Sequence, residues 1–144
     1  DPRAPHSLPA LRSSALAEAR RLAALRDRLV AGVIAAVPGV RLTGADAPRL
    51  PHIAHLTVEG ADADSLLLGL DLAGVNASAG SACQAGVQEA SFVLLAMGYP
   101  HDLARSALRF SLGRTTTQAD VDAVLAALPE VVERSRAANA TRAR

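Results

Sequence analysis

The sequence predicts an α+β fold in which helices pack on a small, mainly antiparallel sheet. Three observations carry that expectation. Residues 8–36 place apolar side chains three and four apart. Residues 107–113, ALRFSLG, alternate apolar and polar. Residues from 117 onward open with a capping pattern and return to helical spacing.

Each element follows from local chemistry. In the first helix Leu22, Leu25, Leu29, Val33 and Ala36 share one face, with Ser13, Arg20 and Asp27 opposite. Pro38-Gly39 ends it. VRLTG (40–44) reads as a short strand closing in a turn, and ADAPRLP (45–51) as a loop. HIAHLTVEG (52–60) is a second strand. Asp62 is a plausible N-cap for a helix through SLLLGLDLA, stopped by Gly74. VNAS (75–78) is a brief strand, and short helices follow at 89–97 and 101–106. In the last strand Leu108, Phe110 and Leu112 face one side, Arg109 and Ser111 the other. Thr117 and Asp120 form a capping box for a helix with Val121, Val124, Leu125 and Leu128 inward. Pro129 should kink or restart that helix, and the tail AANATRAR should fray. The pattern shows no internal repeat and no second domain among these residues.

Composition narrows the function. The chain has 144 residues, half of them hydrophobic, with a net charge of +1, which suffices for one domain with its own core. No apolar run is long enough to span a membrane, and no N-terminal signal pattern is present. Basic residues are scattered and aromatics are scarce, which argues against direct nucleic-acid binding. One cysteine forms no internal disulfide, so a reducing, cytoplasmic setting is expected. All fifteen Lys+Arg residues are arginines. With no lysine, the chain offers no amine for a Schiff base and no Walker-type phosphate lysine.

Two residues stand out. Cys83 lies in SAGSACQAG (78–86), bracketed by Gly80 and Gly86 and surrounded by small residues. A lone cysteine is usually an inert, buried residue. The glycine-bracketed loop argues instead for an exposed thiol, and exposure is what reactivity needs. No neighbouring cation in sequence stabilises a thiolate, and a free thiol has a pKa near ~8.5, so activation must come from elsewhere. Arg109 lies mid-strand between two apolar residues. Its rigid fork suits bidentate capture of a carboxylate, and a salt bridge on the solvent face is the plainer alternative. The histidines make a poor metal site, because His52 and His55 fall on opposite faces of the predicted strand and Cys83 has no partner at ligand spacing.

The segments NASAGSACQAG, SFVLLAMG and SALRFSLGRTTTQADVD, in this order, resemble the C-terminal region of cysteine desulfurases of the group serving iron–sulfur cluster assembly and tRNA thiolation. VPGVRLTG, RLPHIAHLTV and LLLGLDLAGV fit the same family, and the resemblance covers about 15–136. It implies the small domain of a fold-type I, aminotransferase-like enzyme that uses pyridoxal phosphate as an electron sink. Such enzymes convert L-cysteine to L-alanine, and a loop cysteine takes the sulfur as a persulfide and passes it to an acceptor protein. By motif match that cysteine is Cys83, and Arg109 matches the arginine that holds the substrate carboxylate. The long GSAC form points to the group with a mobile loop, able to serve a buried cofactor and an outside acceptor.

The resemblance also implies what lies beyond these residues. The family's large domain carries the cofactor lysine and most phosphate contacts, so the chain reads as a single domain, the C-terminal part of a longer enzyme. The large N-terminal domain is missing from it. No cofactor is expected on this chain alone, which would be inactive and expose an apolar face. The intact enzyme is expected to be a cytoplasmic homodimer, acting with an iron–sulfur scaffold or a tRNA-thiolation enzyme. The alternative is a stand-alone thiol or persulfide carrier, or a redox module, working without pyridoxal phosphate. One departure is His55, which stands where the family usually has asparagine.

Overall fold

A computed structural model describes residues 8–79 and 90–142. The first helix, α1, spans Leu8–Ala36, and strands β1 (Val40–Leu42) and β2 (Ile53–Val58) follow. Then come helices α2 (Ala63–Leu72), α3 (Phe92–Ala96) and α4 (His101–Ala104), strand β3 (Ala107–Ser111) and helix α5 (Gln118–Arg142). The strands form one antiparallel sheet in the order β1-β2-β3. This is the α+β layer that the sequence predicts.

Alternation decides which face of the sheet is covered. Ala54, Leu56, Val58, Leu108 and Phe110 are buried and join one core with Leu22, Leu29 and Val33 of α1, Leu66 and Leu70 of α2, and Val121, Val124, Leu128 and Val132 of α5. The residues between them on the strands point the other way. A second, smaller cluster joins Leu94 of α3, Ala104 of α4 and Ala107 of β3.

The helix ends are built as the sequence predicts. Asp62 Oδ1 accepts from the amides of Asp64 and Ser65 at the start of α2. At its end the Gly74 amide donates to Asp71 and the Val75 amide to Leu70, with Gly74 at φ 77°. That double bond pattern is a Schellman motif, and glycine fills its left-handed position without strain. Thr117 and Asp120 cap α5 reciprocally: the Thr117 amide donates to Asp120 Oδ2 at 2.7 Å and the Asp120 amide to Thr117 Oγ1 at 3.4 Å.

Several expectations fail for tertiary reasons. Helix α5 does not restart at Pro129 but continues through it, with Leu128, Val131 and Val132 on either side of the proline buried in the core. It continues through most of the tail expected to fray, where Asn139 Nδ2 donates to the Gly60 carbonyl at 3.2 Å and Arg136 to those of Glu59 and Pro38. Ala36 is exposed, and the α1 face closes on Val37 instead. VNAS forms no strand; only Ser78 pairs, as an isolated bridge to Arg109.

Candidate functional site

Arg109 sits on the face of the sheet opposite the core. Register places it directly across from His55, and Thr43, one residue past β1, donates its amide to the His55 carbonyl. On the other flank the Ser78 and Arg109 backbones exchange hydrogen bonds, Ser78 N to Arg109 O at 3.0 Å and Arg109 N to Ser78 O at 2.6 Å. Directly paired residues share a face. Thr43, His55, Arg109 and Ser78 therefore form one polar row across the sheet, all half-buried.

The side chains of this row are linked at its two ends. His55 Nδ1 and Thr43 Oγ1 lie 2.9 Å apart. Arg109 Nη2 reaches Ser78 Oγ at 3.4 Å, beyond the usual range for an N–H donor to oxygen. Arg109 Nε is buried without a hydrogen-bond partner, and among the described residues no carboxylate pairs with this side chain. The plainer alternative, a solvent-face salt bridge, therefore finds no partner among them. A buried guanidinium nitrogen left unpaired costs stability. A planar fork with spare donors is the group that captures a carboxylate bidentately.

The electrostatics of the row centre on His55. Burial first, and then the Arg109 charge, hold its pKa below the ordinary histidine value.

Cys83, with Gly80 and Gly86, lies outside the described residues, as does the prediction of an exposed, mobile loop. What is described are its approaches. Ser78 ties the N-terminal side to β3. On the C-terminal side the Ser91 amide donates to Ala104, and Ser91 Oγ caps α3 at the Leu94 amide. Ser78 is five positions before Cys83 in the sequence. The row thus anchors the strand that holds the arginine and the segment that leads to the thiol at the same point.

Sequence reasoning did not find Ser78 or Thr43. Neither forms a motif of its own; each joins the site only through long-range register. Among the described residues no group of three or more His, Cys, Asp or Glu is placed to hold a metal ion.

The chain belongs to the aminotransferase class-V family, whose model matches residues 8–124. Among its relatives is the IscS-like cysteine desulfurase of Mycobacterium tuberculosis, 53% identical over 119 residues, which are 82% of this chain and 30% of that protein. The cysteine desulfurase IscS of Methanosarcina thermophila is 44% identical over 117 residues, 81% of this chain and 29% of that protein. A solved NifS-like protein from Rickettsia africae superposes with a TM-score of 0.72 at 29% identity, over 86% of this chain and 32% of that one. The chain thus spans about 30% of the length of the curated relatives. No helix among the described residues is long and apolar enough to cross a membrane.

Proposed function

We propose that the chain is the C-terminal small-domain part of a cysteine desulfurase. The reaction moves the sulfur of L-cysteine onto the Cys83 thiol, leaving L-alanine and an enzyme persulfide. Atoms balance without an outside oxidant, since the thiol gains one sulfur atom and cysteine becomes alanine. Arg109 holds the substrate carboxylate, and Cys83 carries the sulfur to an acceptor protein serving iron–sulfur assembly or tRNA thiolation. The intact enzyme works as a homodimer in the reducing cytoplasm, where a persulfide carrier keeps its thiol.

One observation carries this reading: the Arg109 fork, with a buried and unpartnered Nε, is held on the strand that also anchors the segment leading to Cys83. The desulfurase relatives align over most of the chain, which supports the same assignment.

Pyridoxal phosphate is the cofactor this family implies. The residues here do not fit it by themselves, because the sequence contains no lysine and so no side-chain amine for an aldimine. Its attachment belongs to the N-terminal large domain proposed to precede this chain. The exposed Phe92, Val93, Leu95 and Met97 at α3 form an apolar surface suited to such packing.

The test is alanine formation from L-cysteine by the full-length protein supplied with the cofactor. The wild type should release alanine, and Cys83→Ser and this chain alone should not. A full-length protein that forms no alanine contradicts the reading.

A further inference from the structure

His55 is the departure from the family pattern that the proposed mechanism leaves without a task. Its position is unusual in one respect. The Arg109 amide and carbonyl both bond to Ser78, so neither is available to β2. His55 and Arg109 are therefore a non-hydrogen-bonded cross-strand pair, the register in which opposed side chains come closest, with Cα atoms about 4.5 Å apart. Two groups that both carry positive charge when protonated have been placed at the tightest pairing the sheet allows. Like charges so placed repel.

The surroundings offer His55 little relief. From β1 comes Thr43, uncharged, at Nδ1; Arg41, two residues back, is engaged at 3.9 Å with Glu59. From α4, which packs on β2, come His101 and Asp102, both exposed. Residues 75–79 beside β3 carry no charge. Arg109 is thus the one charge that bears directly on the ring among the described residues, and after burial it is the second cause that holds the His55 pKa below its ordinary value.

A carboxylate on Arg109 would reverse that balance. It would cancel the guanidinium charge as seen from His55 and add an acceptor beside the ring. We propose that His55 is the second basic member of the Arg109 carboxylate site, neutral when Arg109 is free and taking up a proton from solvent when a carboxylate binds. Coupling of this kind is reciprocal: binding draws the proton on, and acid strengthens binding by the same factor. The inference rests on the proposed role of Arg109 in holding the substrate carboxylate.

The test uses the full-length protein and L-alanine, which lacks the thiol, as the probe. Binding is followed by calorimetry near pH 6 in two buffers of different ionisation heat, which counts the protons taken up. The wild type should take up more protons than His55→Asn or His55→Gln. Its affinity for alanine should strengthen from pH 8 to pH 6 by about two- to fivefold relative to either variant. Asparagine keeps a donor for Thr43, so it serves if glutamine disturbs the fold. A protein that forms alanine from cysteine, with equal proton uptake in wild type and both variants, overturns this inference alone. A protein that neither binds alanine nor forms it overturns the carboxylate role of Arg109 and this inference with it.

Discussion

Replacing Arg109 by methionine should make the chain more stable while removing its capacity to bind a carboxylate. Methionine keeps most of the stem and deletes the guanidinium. What the guanidinium contributes to the fold is small: one hydrogen bond, Nη2 to Ser78 Oγ, at 3.4 Å. What it costs is larger, since Nε is buried without a partner, and such a donor costs about 1–3 kcal/mol. The outer nitrogens are partly solvated and lose that hydration in the variant, which offsets part of the gain. A net stabilisation of about 1 kcal/mol remains, worth roughly 2–4 °C in Tm for a domain near this size. In the full-length protein a lost charge-assisted pair contributes about 1.5–3 kcal/mol, so apparent cysteine affinity should fall at least tenfold. Thermal unfolding of the purified chain by circular dichroism reads the first effect, and initial rates against cysteine concentration read the second. A Tm lowered by several degrees, with substrate affinity unchanged, would show that Arg109 is a structural residue and refute the reasoning.

Other perturbations separate the core, the cap and the helix contacts. Leu128 of α5 is fully buried in the core, where α5 packs on α1 and α2, so Leu128→Ala should cost about 2–5 kcal/mol, read from denaturant midpoints. Thr117→Ala removes the hydroxyl side of the reciprocal cap and should cost about 1 kcal/mol. The Thr117 amide, and then its hydroxyl, hold the Asp120 pKa below its ordinary 3.8. A lowered carboxyl pKa stabilises the fold above the unfolded value and loses that contribution as the pH falls through the folded one. Wild type should therefore lose stability below pH 3.8 by an increment that Asp120→Asn lacks, measured by acid titration of Tm. At Gly69 a Cβ would meet Val131 Cγ1 at 2.7 Å. Gly69→Ala gains up to about 1 kcal/mol in helix propensity, but crowding the stiff, buried Val131 costs about 1–3 kcal/mol. The variant should be less stable by roughly 1 kcal/mol, and a higher Tm would contradict the close approach.

The elements were legible in the sequence because local signals agreed with one another. Pro38-Gly39, Asp62, Gly74 and the Thr117–Asp120 pair mark ends that the structure keeps. The alternation around Arg109 correctly set Arg109 and Ser111 apart from the core-facing Leu108 and Phe110. Where the sequence misled, long-range packing decided. Pro129 lies in a helix held down on both sides, and the tail is fixed by the contacts of Arg136 and Asn139 with the ends of β1 and β2. The row Thr43, His55, Arg109 and Ser78 joins residues from four separate stretches. Its membership depends on register, which no single stretch encodes. His55 was visible as a departure from the family pattern, but its meaning came only with the partner across the strand. The near contacts of Gly32 with Leu125 and of Gly69 with Val131 are likewise invisible to a reading of separate helices.

The claim at the centre of this account is that Cys83 receives the sulfur of the substrate. The full-length protein, reduced and freed of small thiols, would be incubated with the cofactor and cysteine labelled with heavy sulfur. It would then be alkylated and digested, and the peptide containing Cys83 weighed. One added atom of heavy sulfur is expected on that peptide, with a correspondingly lower yield in Arg109→Met at a cysteine concentration below the wild-type KM. Alanine released in full yield with the Cys83 peptide unmodified throughout, and with Cys83→Ser as active as wild type, would contradict it.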